Sequence, residues 1–364
     1  MKKQRVLKVS AVVVALLLVI GFFLSAIMLA TVKTIASTPP VQRPHKVFGA
    51  SVGAQTSAKA MCTVDLATGR VFYEHNADAP VPLASTTKIV TAIAAIEAFE
   101  AAGRSLDEKF RIDDRAVGIS GTSIYLKKGE HLSARELLLG LMLRSGNDAA
   151  VALALAISPD IAAFATLMNE TAKKTGAENS SFKNPHGLDE DGHFTTARDL
   201  AMLSAYAMKN PVFTEIVATR DARIDGVDYP RVLRNKNRIL KSLDGCCGIK
   251  TGFTKKAGRC FVGARQANGQ TAICVVLNCG PMFEESASLM IAASEEFPIR
   301  QLVTVDSFIG FTQDCDGICA IAAEDFFFPL SDAELDQIEI KLDKEEVVIT
   351  LNEKEIYRAE CNVL

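Results

Sequence analysis

Apolar positions change their spacing several times along this chain, and each change marks an element. From Val9 to Val32 the sequence is apolar without a single charge, and Lys2, Lys3, Arg5 and Lys8 precede the run. A run of that length spans a bilayer as one helix. Its basic flank predicts an N-terminus held inside the cell and a body held outside. The stretch is longer than the core of a cleaved signal peptide, and no A-x-A stands directly after it. Residues 1–33 are therefore expected to stay as an anchor, with residues 9–32 in the cytoplasmic membrane. Cleaved or not, such a leader predicts export.

Residues 34–57 are rich in Pro, Ser and small side chains and read as a stem. Alternation begins near Ala58, where "AKAMCTVDLATGRVFYEHNADAP" predicts two strands turned at "ATGR". Helical spacing follows over 86–101, 134–143, 146–156, 160–175 and 196–208. A second strand-rich block covers 246–280, with turns at "KKAG" and "ANGQ". After it, "FEESASLMIAASEEF" predicts a helix lying back on the sheet. Strands at both ends with helices between predict an α+β fold over 58–297, an antiparallel sheet with a helical subdomain inserted. From Pro298 onward apolar and polar residues alternate again, as in "IEIKLDKEEVVITLNEKEIYRAECNVL", predicting a small all-β domain over 298–364. No internal repeat is visible.

Composition narrows this picture. The 364 residues carry a net charge of −3. No basic cluster is apparent outside the first residues, which argues against nucleic acid as a partner. Nine cysteines occur without C-x-x-C spacing, so no zinc site is expected, and most read as small core residues. Cys315 and Cys319 are spaced to pair across a turn.

The candidate chemistry lies in three short motifs. Ser85 and Lys88 stand three apart in "LASTTKIVTA", ahead of a helix apolar on nearly all sides. Residues i and i+3 share a helix face, so hydroxyl and ammonium can meet. Burial at the root of such a helix lowers a lysine's pKa toward that of a usable base. The helix start also offers backbone N–H groups for an oxyanion. Ser85 read as a helix cap explains the serine but leaves Lys88 unexplained, since cations are disfavoured in a first turn. The second motif is Ser145-Gly146-Asn147, a polar turn between two apolar helices. The third is Lys250-Thr251-Gly252 inside the strand block, where glycine lets a ligand approach the backbone. Lys250 reads either as a fixed cation beside a cleft or as an edge-strand lysine that discourages aggregation.

Decoys show why context matters. Ser180 and Lys183 repeat the first spacing, but Pro185 and Gly187 follow and no helix can hold them. Lys174-Thr175-Gly176 repeats the third, but it ends a helical run with Gly176 as the cap. His186 and His193 bracket Asp189 and Asp191 in a turn-like segment with no third ligand specified, so neither metal nor cofactor is expected.

The ordered set Ser-x-x-Lys, Ser-x-Asn, Lys-Thr-Gly is that of penicillin-binding proteins and class A β-lactamases. From Ala58 onward the chain resembles low-molecular-weight penicillin-binding proteins, and more narrowly the serine-type D-alanyl-D-alanine carboxypeptidases. The likeness rests on "PLASTTKIVTA", "LMLRSGNDAAVALA", "NPHGLDEDGHFTTARDLA" and "GIKTGFTKKAGRCFVGA". No Glu-x-x-x-Asn between Asn147 and Lys250 supplies the β-lactamase deacylation residues, since Lys174 stands where Asn is needed after Glu170. The resemblance implies a penicillin-binding transpeptidase-like fold and an enzyme acting on peptidoglycan stem peptides, with β-lactams as covalent inhibitors. It implies Ser85 as nucleophile, Lys88 as proton acceptor, Ser145 as relay and Asn147 as the residue holding Lys88 and the substrate amide. Lys250 and Thr251, with Gly252 and Thr254, would receive the substrate's carboxylate end. The N–H groups of Ser85 and Phe253 would form the oxyanion hole.

Two departures stand out. The region where some relatives place a carboxylate-binding Arg reads "NCGPMFEESAS", and the C-terminus lacks the amphipathic helix by which many relatives attach to membranes. A D,D-endopeptidase, a β-lactamase, or a non-catalytic penicillin- or muropeptide-binding protein remain as alternatives on the same fold.

Overall fold

The computed structural model describes residues 52–53, 55–227, 230–311 and 319–363. The run 9–32, the stem up to residue 51 and Cys315 lie outside the described residues. The central sheet has six strands. They are β1 (Val52–Gly53), β2 (Ala60–Asp65), β3 (Val71–His75), β8 (Cys246–Thr254), β9 (Gly258–Ala267) and β10 (Gln270–Leu277), ordered β1-β3-β2-β10-β9-β8. All pairs are antiparallel except β1 with β3. The expected turns at "ATGR", "KKAG" and "ANGQ" all connect neighbouring strands. β8 is therefore an edge strand, and it carries Lys250-Thr251-Gly252.

Both faces of the sheet are covered, so its strands read as nearly continuous apolar runs. In β10, Ile273, Val275 and Leu277 face the helical side, while Ala272, Cys274 and Val276 pack with Met290 and Ala293 of the helix Met282–Glu296. That helix is the one expected at "FEESASLMIAASEEF". The helical side holds α1 (Lys88–Ala101), α2 (Ala134–Leu139), α3 (Asn147–Ile157), α4 (Ile161–Lys174), α5 (Ala197–Met208) and α6 (Pro211–Ala218). α1 is buried nearly all round, from Lys88 to Ile96 and again at Phe99, as its composition predicts. α2 opens with a capping box, Ser133 with Glu136.

Two expected helices differ in detail. Ser85 does not open α1; it sits in a tight turn over Ala84–Thr87, and α1 begins only at Lys88. Residues 134–143 are not one helix either. α2 stops at Leu139, and a wider π turn runs over Gly140–Arg144. Periodicity did not reveal two short antiparallel pairs, β4 (Lys109–Arg111) with β5 (His131–Ser133) and β6 (Asp221–Ile224) with β7 (Arg231–Arg234).

Residues 299–311 and 319–363 form the expected small β unit. Its five-stranded sheet includes Ile338–Asp343, Glu346–Leu351 and Lys354–Val363, and its core gathers Phe326, Phe328, Ile349 and Tyr357. Arg70 bolts it to the central sheet. The guanidinium is fully buried, lies against the rings of Phe72, Phe297 and Phe328, donates to the Pro329 carbonyl, and meets Glu334 at 2.6 Å. The eight described cysteines are free thiols. Among the described residues no single helix is long and apolar enough to cross a membrane.

Candidate active site

The turn Ala84–Thr87 and the first residue of α1 bring Ser85 and Lys88 together. Lys88 Nζ stands 3.0 Å from Ser85 Oγ, 2.8 Å from Asn147 Oδ1 and 2.5 Å from the carbonyl oxygen of His186. The Ser85 side chain caps nothing; no side-chain cap bond exists at this helix start. The capping account therefore falls away and the contact with Lys88 remains. Lys88 is fully buried, and burial, reinforced by the charges of Lys250 and Lys236, holds its pKa well below the usual lysine range.

Asn147 is the first residue of α3, and it is held on three sides. Its N–H donates to the Thr122 carbonyl at 2.7 Å, its amide nitrogen donates to the Ser120 carbonyl at 2.7 Å, and its amide oxygen faces Lys88. The segment around Ser120 is itself tied down by Asp148. That buried carboxylate accepts from the N–H groups of Ile124 and Leu126 at 3.0 Å, from Ala149 at 2.9 Å and from the Ser123 hydroxyl at 2.5 Å. Ser145 follows the π turn in the left-handed region, φ 65° and ψ 35°, a conformation serine rarely adopts and one that turns the chain sharply into α3.

The third support is the segment 184–193. Thr91 Oγ1 donates to the Pro185 carbonyl at 2.7 Å. His193 bonds Thr87 Oγ1 through Nε2 at 2.9 Å and accepts from the Lys183 N–H through Nδ1 at 3.0 Å. Both ring nitrogens are thus engaged within the protein, and burial lowers the pKa of His193 to about 4. Gly187, at φ +84°, packs so tightly on the Ala84 carbonyl that a Cβ there would lie 2.0 Å from the oxygen.

β8 closes the other side. Gly252 packs against the serine turn, where a Cβ would lie 3.1 Å from the backbone nitrogen of Ser85. Ser85, Ser145, Thr251, Gly252 and Phe253 share the lining of one cleft of about 830 Å³. Lys250 is not an exposed edge lysine. It is buried, with Nζ 2.9 Å from the Thr251 carbonyl, and burial together with Lys236 lowers its pKa to about 7. Its charge is therefore less fixed than the motif suggests. Thr254 turns elsewhere, donating to Asp189 at 2.9 Å. The decoys separate as expected: Ser180 bonds Thr195 and Asp199, Lys174 pairs with Glu97, and Gly176 has φ +80°.

The expectation of no basic cluster beyond the first residues was wrong. "RVLRNKNRILK" places Arg234, Lys236 and Arg238 along the cleft, and Arg144 and Arg259 join them. Asparagines interleave these charges, which hid the run.

The sequence model described as D-alanyl-D-alanine carboxypeptidase matches residues 46–280. D-alanyl-D-alanine carboxypeptidase DacF of Bacillus subtilis is 34% identical over 233 residues, which are 64% of this chain and 60% of that protein. The chain thus matches about 60% of that curated relative's length. The crystal structure of D-alanyl-D-alanine carboxypeptidase DacD from Francisella tularensis superposes with a TM-score of 0.71 at 25% identity, covering 91% of this chain and 97% of the other. Penicillin-binding protein D2 of Listeria monocytogenes, solved in an ampicillin-bound form, gives 0.58 at 31% identity over 65% of this chain and 97% of the other. Because the family match takes in more than half of the sequence, including all three motifs, the chain belongs to the D-alanyl-D-alanine carboxypeptidase family.

Proposed function

We propose that the protein is a serine D-alanyl-D-alanine carboxypeptidase that removes the terminal D-alanine from peptidoglycan stem peptides through an ester on Ser85. One observation carries the reading. A neutral lysine has two N–H groups and one lone pair, and two of its three partners, the His186 carbonyl and Asn147 Oδ1, can only accept. With both N–H groups of the neutral amine given to them, its lone pair is the one site left for the Ser85 hydroxyl, whose Oγ stands 3.0 Å away. Burial disfavours the charged form of Lys88, which favours the neutral amine that can act as a base for that hydroxyl.

The steps follow. Ser85 Oγ attacks the terminal peptide carbonyl as its proton passes to Lys88. The N–H groups of Ser85 and Phe253 receive the oxyanion. Lys250, Thr251 and the newly found Lys236 hold the terminal carboxylate. Ser145 hands the proton on to the leaving amine, the C–N bond breaks, and D-alanine departs. Water then cleaves the ester and restores Ser85. A β-lactam would enter the same sequence and stall as the acyl-enzyme. We further propose that residues 9–32 hold the protein in the cell membrane with its body on the outer face. Recovery of full-length chain in the soluble fraction would refute that placement.

Purified protein should release D-alanine from a pentapeptide and take up fluorescent penicillin, and Ser85→Ala should lose both. Release that survives Ser85→Ala overturns the mechanism. Disappearance of cross-linked dimers from a muropeptide digest would reassign the chain as an endopeptidase, and rapid penicillin turnover as a β-lactamase. Pentapeptide binding without release would make it a non-catalytic binding protein.

A further inference from the structure

The cleft carries more positive charge than one carboxylate uses. Arg144, Arg234, Lys236, Arg238 and Arg259 line it, against a single acid, Glu284. Elsewhere Arg70, Arg135, Arg231 and Arg358 each hold a carboxylate within 3.0 Å, while Arg104 and Arg265, which have none among the described residues, stand apart and donate to carbonyls. In the cleft the unmatched cations are gathered together. Among the described residues Arg144, Arg238 and Arg259 have no carboxylate within 4.0 Å, and Arg234 has only a loose pair with Asp221 at 3.8 Å. Arg259 donates to the Gly280 carbonyl at 3.1 Å, and Lys236 lies 3.4 Å from Thr122 Oγ1. Composition does not force this, since acids outnumber bases 43 to 40. Like charges gathered in a concave site raise one another's energy until an anion enters, and they draw that anion in.

Position says which part of a substrate would meet them. The same lining holds Ser85 together with Thr251 and Lys236, the two lining residues assigned above to the departing residue's carboxylate. The segment 184–190, which packs behind the serine turn, contributes nothing to it. After Lys250 and Lys236 take one carboxylate, the guanidiniums remain. Each presents a planar fork suited to a carboxylate.

Resting on the proposed carboxypeptidase reading, we propose that the cleft selects a leaving residue with a second negative charge, a terminal D-amino acid with an acidic side chain such as D-glutamate. The chemistry balances as for D-alanine. The Ser85 ester forms as the C–N bond breaks, the Ser85 proton ends on the amine of the departing D-glutamate, and water hydrolyses the ester.

The test uses the full chain and three acylated dipeptides, ending in D-Ala-D-Ala, D-Ala-D-Gln and D-Ala-D-Glu. At low salt, D-Glu should exceed D-Gln in kcat/KM by about tenfold or more, and the ratio should shrink at about 0.5 M NaCl as exposed guanidiniums are screened. It should also shrink in Arg144→Gln/Arg238→Gln, with the melting temperature showing that the variant is folded. D-Gln cleaved as fast as D-Glu, while D-Ala is still released, overturns this inference alone. A ratio indifferent to salt and to the arginines overturns it too. No release from any of the three overturns the carboxypeptidase reading as well.

Discussion

Replacing Lys250 with methionine should stabilise the protein while disabling it. Lys250 is buried, its ammonium donates among the described residues to the Thr251 carbonyl alone, and its pKa falls from 10.5 to about 7. Between those values the unfolded chain holds a proton that the folded chain has released, so stability rises with pH across that window. Below about pH 7 the cost of the buried ammonium is fully present, and that interval corresponds to a ceiling of about 5 kcal/mol. Methionine keeps the apolar stem and removes the charge. We expect Lys250→Met to gain about 2–5 kcal/mol near pH 6 and to lose that gain toward pH 10. Urea unfolding followed by circular dichroism at both pH values measures it, and penicillin labelling should slow by about 10–100-fold on the same samples. A variant no more stable than wild type near pH 6, or equally more stable at both, would refute the reasoning.

Two other changes test the supports of the site. Asp148→Asn removes the acceptor that gathers Ile124, Leu126 and Ser123, and it deletes a negative charge that raises the Lys88 pKa. We expect kcat to fall by about 100-fold and the acid limb of kcat/KM, where Lys88 must lose its proton, to move to lower pH. A loop that merely loosened would leave the limb in place, and the pH profile decides. Arg70→Leu strands the Glu334 carboxylate and should cost about 3–5 kcal/mol. Amide exchange should quicken across 338–363 ahead of the central sheet, and uniform quickening would count against a local effect.

Side chains that act through their own chemistry were legible in the sequence. Ser85 and Lys88 declared themselves because three residues of a helical turn bring i and i+3 together, and the tighter turn found here keeps that meeting. The sheet was legible because its strands are apolar on both faces and its turns carry Gly. Parts of the site built from backbone were invisible. The carbonyls of Ser120 and His186 fix Asn147 and Lys88, yet a carbonyl has no residue signature. Asp148 lies in the first turn of α3, but most of its partners are N–H groups of a loop more than 20 positions earlier in the chain, which local pattern does not announce. Burial of Lys250 depends on which residues cover an edge strand, and local pattern does not encode that.

The π turn over Gly140–Arg144 bears on insertions and deletions. A π turn is an α-helix with one residue too many, so losing any one of those five positions would let α2 close into ordinary helix. The extra residue is taken up within the turn itself, so Ser145 would keep nearly its present bearing around the helix axis. At this point the chain can shorten by one residue where an ordinary helix could not, since there one residue fewer turns all that follows by about 100°. Among descendants of this chain, apolar substitutions at 141–143 and a single-codon deletion within the turn would both leave the site assembled, whereas a side chain at Gly140 would meet Ile124.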